Sequence, residues 1–551
     1  MSSIIAISSA KDVRTHFTVR TRLIGHPVAL VALCVCLLWP ALTWSTRQQE
    51  EPEPEVASEG EVLLERWQAE AARQWAEKRL VSEPQHPVWR FLLGEALFEL
   101  GHYAEALETL DSLLKVAPHP RIQAYREFVA QTIQSTATLQ PIETAHFRIF
   151  LDLEKDAALA LYVAEVLEQS YQRLGEIFRF TPTEKMRVEI FPTTATFYPA
   201  SSLSTRDIEV SGAIGICKFN KIMLLSPRNL ARGYRWTDAL SHEYIHYIVV
   251  QLSHNRAPIW LHEGIAKYFE SAWRLPPGAW LDRRSESLLA HALRHNSFVG
   301  LKNMDPSLVK LDTTYQVQLA YAEASSAIDF IVQQRGAEGL LGVLQALRQT
   351  REGGAAEAVA RVMSMAFDTF QEQWQQFLVA KQLQEHQGVR LPRFELKQEG
   401  KMPTDELQQE LQSNTARLQA RLGDRLRHNG RAPAAAAEYR RALTQDPYSP
   451  YLLNKLASVL MAQGEWHQAL SPLQRAQQLS SDDAATYTNL GRLYVALQDY
   501  AQARAALLEA VQINPFDPAI HMYLAESYRQ LGQSDKAQQE QQLFETLQRT
   551  Q

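Results

Sequence analysis

Cysteine is scarce in this chain of 551 residues, which contains only three. Cys34 and Cys36 share one apolar stretch, so Cys217 stands alone in the remainder of the chain. This distribution excludes a disulfide framework and a zinc ribbon built from cysteines. We interpret Cys217 as a small buried residue rather than a thiolate ligand.

An excess of one charge is also lacking, because 56 Lys and Arg residues face 62 Asp and Glu residues, for a formal net charge of −6. The chain therefore has no bulk attraction for nucleic acid, and Lys218 and Lys221 are interpreted as ordinary hairpin-turn residues. Hydrophobic residues make up 46% and charged residues 21%, which is ordinary for folded soluble protein and argues against a multi-span membrane protein. The length predicts about three or four domains.

Long apolar runs are rare, and the longest lies near the N-terminus at residues 23–45. A basic segment, residues 1–22, precedes it, and an acidic, proline-rich linker, residues 46–60, follows it. Basic residues before the run and acidic residues after it favour a cytoplasmic N-terminus with the remainder exported. We predict a single transmembrane anchor at residues 23–45, the alternative being a signal sequence that is cleaved before secretion.

The C-terminal region, residues 415–551, repeats every 34 residues. The positions in register are Leu422-Gly423, Leu456-Ala457, Leu490-Gly491 and Leu524-Ala525, with Ala435, Ala469, Ala503 and Ala537. This period and pattern resemble tetratricopeptide (TPR) repeats, and a similar unit occurs near residues 87–120, inside a predicted helical segment at 61–135. TPR units stack into a solenoid with a concave binding surface. We therefore expect a protein partner for the repeats, and we expect the C-terminal repeats to be separable from the centre.

The central region, residues 142–383, reads as a small sheet followed by a helical half, and a linker at 384–414 joins it to the repeats. Alternating apolar residues predict the strands, and a period of 3.6 predicts the helices. The predicted strands are His146–Leu151, Val188–Phe191, Ala213–Cys217 and Ile222–Leu225, and the predicted helices include Ala157–Phe178, Thr237–Leu252 and Ile259–Trp273. The fold class is thus α+β in the centre with all-α solenoid segments on both sides.

The second of these helices carries His242-Glu243-Tyr244-Ile245-His246, the pattern H-E-x-x-H. Residues four apart share a helix face, so both imidazoles can reach one zinc ion, and Glu243 lies beside them as a general base. A catalytic zinc needs a third protein ligand, and Glu263 on the next helix, with 16 residues intervening after His246, supplies it. His291 and His295 are also four apart, but no glutamate lies between them, and we interpret them as a solvated face.

The segment from Trp260 to Glu270, W-L-H-E-G-I-A-K-Y-F-E, resembles the W-L-x-E-G-x-A segment of gluzincin metallopeptidases. The aminopeptidase N family and bacterial peptidase MA-like proteins carry this segment. The resemblance covers residues 142–383 and implies a gluzincin-type metallopeptidase domain with one Zn²⁺ ion. It also implies that His242, His246 and Glu263 are zinc ligands and that Glu243 is the general base.

Two positions depart from these families. Thermolysin-like enzymes have an aspartate four residues after the third ligand, where this chain has Lys267. Aminopeptidases N have a G-A-M-E-N strand whose glutamate holds the free amine of the substrate, whereas Gly212–Ile216 contains no acid. This absence predicts an endopeptidase, although Asp207 and Glu209 lie upstream and could supply an acid.

A tyrosine well downstream of the third ligand stabilises the oxyanion in the aminopeptidase N family. Tyr321 is the corresponding candidate, and Tyr315 is the runner-up. The sequence as a whole predicts a membrane-anchored zinc metallopeptidase with a protein or peptide substrate. The alternative is an inactive TPR scaffold that retains a structural metal site.

Overall fold

The computed structural model describes residues 54–550, except 306, 309–310, 351–353, 392–393 and 398–410. The basic N-terminal segment and the predicted anchor at 23–45 lie outside the described residues. None of the described helices is long and apolar enough to cross a membrane.

Five helices form the N-terminal part of the described chain: α1 Pro54–Glu65, α2 Ala69–Ser82, α3 Pro87–Glu99, α4 Tyr103–Val116 and α5 Pro120–Thr136. Gly94 of α3 lets α4 approach closely, because a Cβ at this position would lie 3.1 Å from Leu110 Cδ2. A small residue at this point is what the TPR pattern requires of a helix pair.

A mixed sheet of five strands follows, in the order β1-β2-β3-β5-β4. The strands are β1 Gln140–Glu143, β2 Phe147–Leu151, β3 Met186–Phe191, β4 Gly215–Lys218 and β5 Lys221–Leu225. Strands β2, β3 and β5 run parallel, and β4 pairs antiparallel with β5 at the edge of the sheet. Helix α6, Ala157–Phe178, connects β2 to β3. Phe219 and Asn220, both at positive φ, form the two-residue turn between β4 and β5.

The helical half of the central domain packs against this sheet. Its helices are α7 Thr194–Ser201, α8 Thr205–Ser211, α9 Trp236–Ser253, α10 Ile259–Phe269, α11 Arg283–His295, α12 Thr314–Leu347, α13 Ala355–Met363 and α14 Phe367–Ala380. Helix α12 is interrupted at Gly336, where φ is 66°. Helices α9, α10 and α12 are buried along most of their length and form the centre of the domain.

Eight helices complete the chain as antiparallel pairs. They are α15 Asn414–His428, α16 Ala432–Gln445, α17 Pro450–Ala462, α18 Trp466–Leu479, α19 Ala484–Ala496, α20 Tyr500–Ile513, α21 Pro518–Gln530 and α22 Ser534–Thr550. The two helices of a pair touch at the small residues of the repeat, as at Gly423, where a Cβ would lie 2.7 Å from the Tyr439 ring. The predicted α+β fold with flanking TPR helices is confirmed.

The N-terminal repeat is joined to the sheet by a buried polar cluster. The Lys221 ammonium on β5 donates to the Tyr103 hydroxyl on α4 at 2.5 Å, and that hydroxyl donates to the Glu189 carboxylate on β3 at 2.5 Å. Burial lowers the pKa of Lys221 to about 8, although Glu189 opposes this effect. Lys221 is completely buried, so its interpretation as an ordinary turn residue is wrong.

The C-terminal repeats contact the central domain at the start of α9. The backbone N–H of Tyr234 donates to the Ile513 carbonyl at 3.0 Å, and the Trp236 indole donates to the Val511 carbonyl at 2.9 Å. Arg235, between them, donates to Glu509 at 2.7 Å. The repeats are therefore packed against the beginning of the helix that carries the H-E-x-x-H pattern.

Candidate metal centre

Helix α9 places His242, Glu243 and His246 in the interior of the domain, where all three are buried. The positions of His242 and His246 one helical turn apart bring their imidazole rings face to edge, with centroids 4.7 Å apart. Apolar residues of the same helix, among them Ile245 and Val249, are buried beside them.

Helix α10 brings Glu263 to the two histidines. Its Oε2 lies 3.4 Å from His242 Nε2 and 3.7 Å from His246 Nε2. The next residue, Gly264, lets α10 pack directly on α12, because a Cβ there would lie 2.6 Å from the Ala324 carbonyl oxygen. This close packing fixes the depth at which Glu263 enters the site.

The donor set fits a zinc ion. Two ligand atoms on a tetrahedral zinc with bonds of about 2.0–2.1 Å lie roughly 3.4 Å apart, and the two distances from Glu263 are close to this value. The three ligand atoms all lie within 4.8 Å of one another. Neither ring nitrogen of His246 has a hydrogen-bond partner within the described part of the chain, and a buried imidazole without a partner is costly.

The electrostatics of the two histidines differ. Burial alone would lower the pKa of His242, but the carboxylates of Glu263 and Glu270 raise it to about 9. Burial and the neighbouring His242 lower the pKa of His246 well below its usual range. A divalent cation in the cluster would compensate Glu263 without requiring a proton on His242.

The edge strand β4 passes directly beside Glu243. A Cβ built on Gly215 would lie 2.9 Å from Glu243 Oε1 and 2.8 Å from Leu224 Cδ1. Glycine at this position therefore leaves the Glu243 carboxylate its space. Asp207 and Glu209 lie on α8, where Asp207 is bonded to Ser204 in a capping box and Glu209 is exposed.

Sequence reasoning missed Glu270, which lies at the end of α10. Its Oε2 accepts a hydrogen bond from His242 Nδ1 at 3.1 Å, and its Oε1 accepts one from the Lys267 ammonium. Burial would raise the pKa of Glu270, but Lys267 and His242 lower it to about 2. The signal was present in the spacing, because residues 263, 267 and 270 share one helix face.

Tyr321 on α12 lies at the site. Its hydroxyl is hydrogen-bonded to the Glu263 carboxylate, and burial together with the nearby carboxylates of Glu263, Glu243 and Glu270 raises its pKa well above the usual value. Tyr315, the runner-up, lies edge-on against His291 with ring centroids 6.2 Å apart. Among the contacts of the described residues, none joins Tyr315 to the three-ligand cluster.

Three other histidines have different surroundings. His262 is fully buried, and burial lowers its pKa to about 3; nothing in the described structure explains the choice of histidine there. His291 and His295 form a cluster with Glu385 at the surface. Arg294 already pairs with Glu385 at 2.7 Å, which is consistent with a solvated face.

Comparison with known families identifies the domains. Residues 183–380 match the family model of the peptidase MA superfamily. Models of the tetratricopeptide repeat match residues 63–127, 407–450, 448–515 and 488–543. The chain thus contains a peptidase MA superfamily domain together with tetratricopeptide repeats. The peptidase MA match includes both metal-centre helices, so the resemblance predicted from the W-L-H-E-G segment is confirmed.

Several solved structures are similar to this chain or to part of it. A crystal structure of MamA is 25% identical over 24% of this chain and 73% of its own length, with a TM-score of 0.23. A thermophilic TPR protein of Thermus thermophilus is 27% identical over 24% of this chain and 74% of its own length, and its TM-score is also 0.23. The crystal structure of yeast Tom70 is 14% identical over 89% of this chain and 84% of its own length, with a TM-score of 0.24. At these TM-scores the likenesses carry no conclusion about this chain, and no curated protein matches it.

Proposed function

We propose that the protein hydrolyses peptide bonds in a zinc-dependent reaction, with His242, His246 and Glu263 as ligands. The observation that carries the proposal is the buried cluster of two imidazoles and one carboxylate with Glu243 on the same helix. A structural zinc usually has four protein ligands, whereas a catalytic zinc has three and an open position. Three ligands and an intact Glu243 thus favour a peptidase over an inactive TPR scaffold with a structural metal site.

When bound, zinc supplies a Lewis acid that polarises the scissile carbonyl and lowers the pKa of a water molecule. The Glu243 carboxylate takes a proton from the attacking water as its oxygen bonds to the carbonyl carbon. The protonated Glu243 then donates this proton to the amide nitrogen as the carbon–nitrogen bond breaks. The remaining proton of the water passes from the new carboxyl group to the amine, so that the products are a carboxylate and an ammonium group. Gly215 contributes by leaving room beside Glu243 for these transfers.

Tyr321 is proposed to donate a hydrogen bond to the carbonyl oxygen as it becomes negative. Its hydroxyl already lies against Glu263 and close to Glu243, and such donors stabilise the transition state more than the ground state. Changing Tyr321 to Phe should lower kcat by about 10–1,000-fold while zinc content stays unchanged. Tyr315→Phe is the matched control and should turn over as the wild type does; unchanged turnover in Tyr321→Phe would remove Tyr321 from the mechanism.

The proposed substrate is the interior of a polypeptide rather than its N-terminus. An aminopeptidase must compensate the substrate's ammonium group near the metal, because a buried unpaired charge is costly. Residues 213–216 of the edge region contain no acid. Asp207 is bonded to Ser204 in the capping box of α8, and Glu209 is exposed. An extended substrate could instead bind as a strand along β4 through main-chain hydrogen bonds.

Two fluorogenic peptides of the same sequence test this choice. One has a free amine at the scissile end, and the other is internally quenched with both ends blocked. We expect cleavage of the blocked peptide and its loss in Glu243→Gln. Cleavage of the free-amine peptide alone would show that this chain is an exopeptidase whose acid comes from another element.

The repeats are proposed to bind a protein substrate or partner, as TPR solenoids do. We also propose a single-pass anchor at residues 23–45 with an exported catalytic domain, based on the charges that flank the apolar run. A topology reporter fused after residue 60 should be active on the exported side of the membrane. Reporter activity in the cytoplasm would contradict the orientation, and a soluble exported product would favour signal cleavage.

A further inference from the structure

The carboxylate of Glu270 accepts hydrogen bonds from two side chains, the imidazole of His242 and the ammonium of Lys267. One oxygen accepts from His242 Nδ1 at 3.1 Å, and the other accepts from the Lys267 ammonium. The Glu270 side chain is 13% exposed and that of His242 is 1% exposed. Each oxygen of the carboxylate therefore accepts a hydrogen bond from another side chain of the protein.

We infer that Glu270 is the positioning residue for His242, and that Lys267 holds its carboxylate in place. The inference rests on the proposed zinc site, because it concerns how that site is oriented. A hydrogen bond from Nδ1 to Glu270 leaves Nε2 as the unprotonated nitrogen facing Glu263 and the metal position. It also fixes the rotation of the ring about its Cβ–Cγ bond.

The two residues that hold His242 in place follow the third ligand closely in sequence. Here the position four residues after Glu263 is a cation, and the acid follows three residues later on the same helix face. A carboxylate that accepts from a ligating histidine raises the basicity of the ring and holds its tautomer.

Single removal of Glu270 would leave the Lys267 ammonium buried without its carboxylate, so the test uses a paired design. Lys267→Met keeps the acceptor for His242 and removes only the cation. Lys267→Met combined with Glu270→Leu removes the acceptor and both charges while keeping similar volumes, and such replacement of a buried ion pair is often neutral for stability. The matched control is Glu540→Gln, which alters another buried carboxylate bonded to a histidine Nδ1, that of His521 at 2.7 Å.

The measurements on the full chain are the zinc Kd by competition with a chelator, the visible spectrum of the Co²⁺-loaded protein, and the thermal midpoint of the metal-free protein. We expect the double variant to bind zinc about 10–100-fold more weakly and to show a changed cobalt spectrum. Lys267→Met should stay closer to the wild type, and Glu540→Gln should match it. A double variant with the zinc Kd and cobalt spectrum of the wild type would overturn the role of Glu270.

Failure of this inference is distinguishable from failure of the proposed function. If the wild-type chain takes up no zinc, the proposed function itself is wrong. If the wild type binds zinc and the double variant binds it equally well, the zinc site stands and only the positioning role is lost. A lower thermal midpoint without any change in Kd or spectrum would assign the pair a purely structural role.

Discussion

Replacing Glu243 with glutamine is expected to lower the rate of peptide hydrolysis by at least about 10²–10⁴-fold while zinc remains bound. Glutamine has nearly the same shape as glutamate and fits the space that Gly215 leaves, but its amide cannot accept a proton from water at neutral pH. The measurement is kcat on an internally quenched peptide beside the zinc content of the same preparation.

Glu209→Gln is the matched control for this prediction, because Glu209 is an exposed acid on α8 near the edge strand. It should hydrolyse the peptide at the wild-type rate. Equal activity in Glu243→Gln and the wild type would show that hydrolysis comes from another group or from a contaminating enzyme. Loss of zinc from Glu243→Gln would instead mean that Glu243 helps hold the site together.

Deleting residues 411–551 is expected to destabilise the central domain and to weaken zinc binding. The sequence suggests separable roles for these repeats, but the contacts before α9 lead us to expect the reverse. Trp236 is completely buried with its indole bonded to Val511. Deletion would expose this ring and leave Arg235, Arg274 and Arg284 without the carboxylates of the repeats.

A point variant tests the same interface without truncation. Arg235 is bonded to Glu509 and to Asp482, which keep Arg274 and Arg284 as partners, so Arg235→Met should cost about 1–3 kcal/mol of unfolding free energy. Arg427→Met, at an exposed arginine on α15, is the control and should change the thermal midpoint little. A truncated chain that keeps the thermal midpoint and zinc Kd of the full chain would show that the repeats are independent.

The parts of the fold that sequence predicted well are those in which the pattern is local. Helix α6 has the predicted bounds, Ala157–Phe178, because 22 residues of amphipathic periodicity determine it. The two-residue hairpin turn follows from its asparagine and from the apolar strands on both sides. Strand β1, Gln140–Glu143, was not predicted, because it is a mostly exposed edge strand that contains a proline and shows no alternation.

The candidate site was predictable for a similar reason. His242 and His246 are one turn apart on a single helix, so their juxtaposition follows from helix geometry. The environment of Lys221 was not predictable, because its partner Tyr103 lies 118 residues away and belongs to another unit. The same holds for Arg235 and Glu509, which are separated by 274 residues. Interfaces between units depend on tertiary packing. A single sequence has no local pattern that indicates which distant residues will be in contact.

The central claim is that His242, His246 and Glu263 hold one zinc ion, and metal content tests it most directly. The full chain and its Glu263→Ala variant would be stripped with a chelator, reloaded with Zn²⁺, dialysed, and measured for zinc per chain beside the thermal midpoint. We predict one zinc per wild-type chain and a large loss of zinc from a Glu263→Ala chain that remains folded. Equal zinc retention by the two proteins would contradict the assignment of the metal centre.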